Sequence, residues 1–103
     1  MSTTAFDPMR PDEVEVFAVD FRRRLGPGVT ITAPQVCAVR ADDPEETPIA
    51  EMVSGAAGVD GTVVSQLIAG VAEGDYTLHF RVTTSQGETL VEPRDLQVRR
   101  DLT

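Results

Sequence analysis

The sequence predicts an all-β fold: one antiparallel sandwich of seven or eight short strands, preceded by an extended N-terminal arm. Three observations support this. From Tyr76 the chain alternates, with Tyr76, Leu78, Phe80 and Val82 on one face and Thr77, His79, Arg81 and Thr83 on the other. That two-residue period belongs to a half-buried strand. Ser85-Gln86-Gly87-Glu88 is a turn-forming cluster after which Thr89-Leu90-Val91 starts back, so the stretch reads as a hairpin. Elsewhere, glycine and proline clusters cut the chain into segments too short for useful helices, and no alternation of strands with helical segments occurs.

Residues 1–13 hold Pro8 and Pro11 among few apolar groups. Proline fixes φ and removes a donor, so neither a helix nor a central strand suits them, and they are expected to form an arm outside the domain 14–103. Val14–Phe21 is the first strand, with Phe17, Val19 and Phe21 sharing one face. Val14, Val16, Ala18 and Asp20 share the other, whose apolar start suggests a central strand or one covered by the arm. Arg22-Arg23-Arg24 and Leu25–Gly28 make a turn. Val29–Ala33 reads as a strand that Pro34 breaks or bulges, and Gln35–Arg40 continues extended. Residues 42–48 form an acidic loop, 49–53 a weak strand and 54–61 a flexible connection, since Ser54–Gly61 contains three glycines. Thr62–Ile68 is a strand whose inward face is ambiguous, because Val63/Leu67 and Val64/Ile68 both suit a core. A last strand, Arg94–Arg99, follows an interruption at Pro93. Tyr76, at the start of a strand two residues past Gly74, also stands where Greek-key sandwiches place a tyrosine corner. The whole is expected to be a single immunoglobulin-like antiparallel sandwich, with Phe17, Phe21, Tyr76 and Phe80 as its structural aromatics.

The formal net charge of −8 argues against nucleic acid and anionic membrane surfaces as partners. No apolar run approaches the ~20 residues that span a bilayer. The opening residues lack the basic and apolar regions of a secretion signal, which leads to an expectation of synthesis in a reducing cytoplasm. A single cysteine, Cys37, allows no internal disulfide, and with one histidine the chain is expected to hold no metal and no cofactor. Cys37 itself reads as a small hydrophobe packed in the core. The acidic loop lacks the glycine and one-residue alternation of a calcium loop.

Catalysis would have to use His79, the only histidine. Its position in the alternation turns it away from the core, toward solvent or a partner. No nucleophile elbow or paired carboxylates accompany it, so no catalytic residues are assigned and the chain is expected not to be an enzyme. The candidate interface residues are Phe6, Pro8 and Arg10 in the arm, Arg22, Arg23 and Arg24 in the basic turn, and His79 and Arg81 on the outward face of the hairpin. The loops 42–48 and 54–61 and the final strand are further contact candidates.

The order of these signals resembles that of small immunoglobulin-like virion proteins of tailed bacteriophages and prophages, described as fiber–tail adaptor or head–tail accessory proteins. An aromatic-x-x-Asp-aromatic segment, a leucine and a Gly-x-Thr-Ile-type strand are matched by Phe17, Asp20, Phe21, Leu25, Gly28, Thr30 and Ile31. A Gly-x-x-Tyr-type entry, an alternating strand, Thr-Thr, a glycine turn and a closing strand are matched by Glu73–Tyr76, Val82–Gly87 and Leu96–Val98. The likeness spans roughly residues 12–99, with nothing in 42–61. It implies a non-enzymatic structural protein of a tailed-phage or phage-like particle, made in the bacterial host cytoplasm. It would join neighbouring virion proteins at the tail, fiber base, neck or capsid surface, as a homo-oligomer or in a symmetric multi-copy assembly. The other reading is a free-standing or cell-surface immunoglobulin-like binding module for carbohydrate, which needs exposed aromatic rings.

Overall fold

A computed structural model describes residues 4–100. The strands are β1 (Thr4–Ala5), β2 (Val14–Asp20), β3 (Ile31–Arg40), β4 (Val53–Asp60), β5 (Val63–Ala69), β6 (Gly74–Thr84) and β7 (Thr89–Val98). Short 3-10 turns at Arg22–Arg24 and Ala50–Met52 are the only helical pieces among the described residues. One sheet has the order β1-β7-β6-β3 and the other β2-β5-β4. All pairings are antiparallel except that of β1 with β7. The two sheets face each other across one core, to which β2 contributes Phe17 and Val19, β5 Val64 and Ile68, β6 Tyr76 to Val82, and β7 Leu96 and Val98. The all-β sandwich is as expected.

The strand count is lower than expected, with six strands of seven or more residues and the two-residue β1. Two expected pairs of strands are single strands. Pro34 lies inside β3, opposite Val82, with the irregularity displaced to Ile31/Ala33. Pro93 lies inside β7, opposite His79. Both survive for the same reason. In an antiparallel pair, alternate residues turn their N–H and C=O away from the partner strand. Thr84 N–H donates to Glu88 O at 2.8 Å, so even positions of β6 bond β7, and Pro93 opposes an odd one. Odd positions of β6 bond β3, and Pro34 opposes an even one. Each missing donor therefore points to an unpaired side: β3 is an edge, and β1 borders β7 only from Arg94 onward.

The segment 54–61 is not a flexible connection but most of β4. Gly55 has φ 76, a left-handed value that glycine adopts without penalty, and it sits in the register shift between Ser54 and Gly58. The segment is held from outside: Gln66, buried in the sandwich, donates from Nε2 to the carbonyls of Ser54 and Gly55 at 3.0 and 3.1 Å. The weak strand expected at 49–53 is instead the 3-10 turn that carries the buried Met52. On β5 the ambiguity resolves with Val64 and Ile68 inward and Leu67 42% exposed. Burying Gln66 with them is tolerated because the amide is satisfied.

Tyr76 starts β6 with its ring in the core and its hydroxyl donating to Ala72 O at 2.8 Å. The Arg40 guanidinium lies 5.5 Å from the ring centroid. Tyr76→Phe removes only that hydrogen bond, so a loss of about 1 kcal/mol is expected in urea melts. An unchanged midpoint would mean that the bond stabilises nothing.

Residues 4–13 lie along the domain's own edge. Phe6 N–H donates to Asp95 O at 2.8 Å and Met9 N–H to Gln97 O at 3.0 Å. The Phe6 ring stands 4.7 Å from Phe17 and 6.0 Å from Phe80, and Met9 is fully buried. The boundary at 13/14 thus marks the crossing from one sheet to the other, within one shared core. Residues 1–3 and 101–103 of the expected ranges lie outside the described residues.

Candidate contact surfaces

The outward face of β3, β6 and β7 is built by alternation. Gln35, Cys37 and Val39 stand opposite Arg81, His79 and Thr77, and these in turn oppose Val91, Pro93 and Asp95. After Arg40 the chain turns, and Ile49 N–H returns to Ala38 O at 2.8 Å on the free edge of β3. Asp43 organises that excursion, accepting the N–H groups of Thr47 and Glu45 at 3.0 Å each. Glu46, with φ 51, then shares a depression of about 200 Å³ with Gln35, Cys37, Val39, His79, Arg81 and Val91.

His79 does point away from the core, but it is half-buried, and its Nε2 has no hydrogen-bond partner. Cys37, expected in the core, faces this depression instead. Its position is directly opposite His79, one place out of phase with the inward Val36 and Ala38. Burial pushes the Cys37 thiol pKa upward, Arg81 partly opposes this and Glu46 adds to it. A raised pKa keeps the sulfur protonated, the opposite of what a nucleophilic cysteine needs. No three His, Cys, Asp or Glu groups among the described residues could hold a metal ion. The arrangement is suited to contact more than to bond chemistry.

The other expected contact residues fall on separate parts of the surface. Pro8 and Arg10 are exposed on the outer side of the N-terminal segment, while Phe6 is half-buried against the core. Arg22, Arg23 and Arg24 form the exposed 3-10 turn after β2. Arg24 reaches back to β7, with Nη1 3.0 Å from Glu92 Oε1, and Arg94 approaches the other oxygen of Glu92 at 3.5 Å. Arg22, Arg23 and Arg81 make no ion pair among the described residues. Arg24 Nη1 also donates to Val91 O at 3.4 Å, so the basic turn packs against the strand whose Val91 lines the His79/Arg81 depression.

A third surface was missed. Val14 and Val16 are 58% and 64% exposed, and Leu67, opposite Val16, is also exposed. The sequence does show these apolar residues on the second face of β2. It was their cover that was wrongly expected, because the N-terminal segment joins the other sheet.

Asp20 closes β2. Its Oδ1 accepts Thr62 Oγ1–H at 2.7 Å and Arg22 N–H at 2.9 Å, and these bonds, the threonine first, hold its pKa below the ordinary 3.8. The N–H groups of Thr47 and Glu45 lower Asp43 likewise. A depressed carboxylate stabilises the fold fully above its unfolded pKa and loses that contribution as pH falls through the folded value. Stability should thus decline below about pH 4. The double variant D20N/D43N should show a shallower acid decline in thermal melts, and an identical decline would exclude both groups as its source.

A protein-family model described as Podophage GP4 fiber-tail adaptor protein gp77 matches residues 9–98, from buried Met9 to the end of β7. No curated protein matches the chain.

Proposed function

Because the chain belongs to the podophage fiber-tail adaptor family, we propose that it is a non-enzymatic subunit of a tailed-phage particle that joins neighbouring virion proteins where fibers meet the tail. The observation behind this is the extent of the match, which includes every strand but β1. Small contact surfaces suit such a role, since symmetry repeats each weak contact many times. The basic turn at Arg22 and Arg23, the Arg81 face and the exposed Pro8 and Arg10 are the surfaces we assign to neighbours. On a chain of net charge −8 they favour acidic patches on the partner.

We assign the sandwich to the immunoglobulin-like class. The sheet orders β2-β5-β4 and β7-β6-β3 and the Tyr76 hydroxyl bonded to Ala72 O support this. The carbohydrate-binding alternative lacks a platform: Phe17, Phe21, Tyr76 and Phe80 are buried and Phe6 is half-buried, so no ring is free to stack on a sugar.

The test is location. Antibody labelling of intact particles, viewed by electron microscopy, should mark the tail–fiber junction. Label on the capsid alone, or particles assembled with fibers when the gene is deleted, would refute the adaptor reading. The variant R22E/R23E should fold normally yet incorporate poorly, and normal incorporation would remove the basic turn from the interface.

A further inference from the structure

Four strand edges bound the two sheets, and three of them are closed to further pairing. β1 is two residues long, and the part of β7 it leaves uncovered carries Pro93 and has its Val91 carbonyl taken by Arg24 Nη1 at 3.4 Å. β3 carries Pro34 and the Ile31/Ala33 irregularity, and its Ala38 carbonyl is taken by Ile49 N–H. β4 is interrupted between Ser54 and Gly58. Proline, bulges and shortness are the usual devices that keep an edge from templating another strand. β2 has none of them: seven regular residues, paired one to one with β5 throughout.

Its orientation follows from its hydrogen bonds. Gly70 N–H donates to Glu13 O at 2.9 Å and Phe21 N–H to Thr62 O at 2.8 Å. Odd positions therefore face β5, and the N–H and C=O groups of Val14, Val16, Ala18 and Asp20 point outward. Among the described residues none of these groups appears in a backbone hydrogen bond outside the sheet ladders.

We propose that β2 is a self-association edge, through which a second copy of this chain pairs antiparallel about a two-fold axis at Phe17, joining the two β2-β5-β4 sheets into one. The case for a second copy is self-complementarity. A two-fold axis normal to the sheet keeps each face on its own side and requires pairs with an even residue sum. Centring on Phe17 pairs Val14 with Asp20 and Val16 with Ala18 of the copy, so the outward-pointing backbone groups meet one another over the full length of the strand. Glu15 then opposes Val19 of the copy, and no like charges stand opposite. The two Asp20 carboxylates lie at far ends, about 20 Å apart by strand rise, beyond the reach of screened repulsion. Two chains of net charge −8 repel over most of their surface. The outward face of β2 and β5, with Val14, Val16, Ala18, Val63, Ser65, Leu67 and Ala69, carries only Asp20 as a charge, so it is where they can meet. Around the axis Val16 and Ala18 of both copies form one apolar cluster.

Sedimentation equilibrium tests this. At roughly 100 µM, where a micromolar Kd is saturated, the wild-type protein should show twice its 11.1 kDa mass. Val16→Glu puts like charges beside the axis at a position without core contacts, and should return the monomer with unchanged circular dichroism. Ala18→Pro removes an outward donor while sparing the β5 ladder, and should do the same. If that proline unfolds the chain, V16E alone decides. In hydrogen exchange the Val16 and Ala18 amides should be at least tenfold slower in the wild type at high concentration than at low. A wild-type monomer at roughly 100 µM, or a dimer that V16E leaves intact, overturns the proposal. The outcome is separate from the location test, since an adaptor can be monomeric and a dimer need not be virion-borne.

Discussion

Replacing Met9 with alanine is expected to destabilise the protein by about 2–5 kcal/mol, the loss typical of a buried methionine that leaves a cavity. Met9 has no exposed surface and belongs to the same cluster as Phe17, Phe80 and Val98. Its backbone is fixed on both sides, donating to Gln97 O and accepting from Arg99 N–H at 2.9 Å, so the segment cannot easily close the gap. Pro8→Ala, at the exposed neighbouring position, should stay within about 0.5 kcal/mol. Deleting residues 1–11 removes Phe6 and Met9 together and should cost more than M9A alone. Urea melts read all three. If M9A and P8A had equal midpoints, the N-terminal segment would be a detachable arm, and its contacts with the sandwich would contribute no stability.

Gly70→Ala is the second large effect, expected at about 1–3 kcal/mol, the range for forcing atoms into filled space. Gly70 follows β5 and is paired with the turn that leads into β2. A Cβ there would collide with the Arg10 carbonyl oxygen and crowd the Pro11 backbone. Backbone cannot swing aside as a flexible side chain can. Relief would require moving the Arg10–Glu13 turn, which the Gly70 N–H to Glu13 O bond resists. The same residue thus makes a hydrogen bond and permits a close approach. Gly58→Ala is the control: its Cβ would meet only Ser65 Oγ at 3.5 Å, an ordinary contact. Equal losses for the two would exclude the Arg10 contact as the cause, because the chain-entropy effect of a glycine-to-alanine change is stabilising.

The β6–β7 hairpin was readable because its signals are local. Alternation from Tyr76 to Val82 sets the inward face before any partner is known, and all four inward residues are at most 2% exposed. Phe17, Val19 and Phe21 likewise share one inward face and are buried. β4 was not readable, because Ser54–Gly58 has no period of its own. It is a strand only because β5 and the Gln66 amide supply partners. The contact residues divide in the same way. The outward direction of His79 followed from alternation, but the depression it shares with Glu46 did not, because Glu46 arrives through a loop without a pattern.

By itself the sequence determined the all-β class, the strands with a clear inward face, the tyrosine corner and the resemblance to virion adaptors. Each rests on the identities of residues close together in the chain. Only the tertiary structure decided where Pro34 and Pro93 could be tolerated, which face of β5 was buried and where the N-terminal segment went. It also showed that the exposed valines of β2 lie along an unpaired edge. Those outcomes depend on which strand lies alongside which, and two-residue alternation says which way a side chain points but not what it meets.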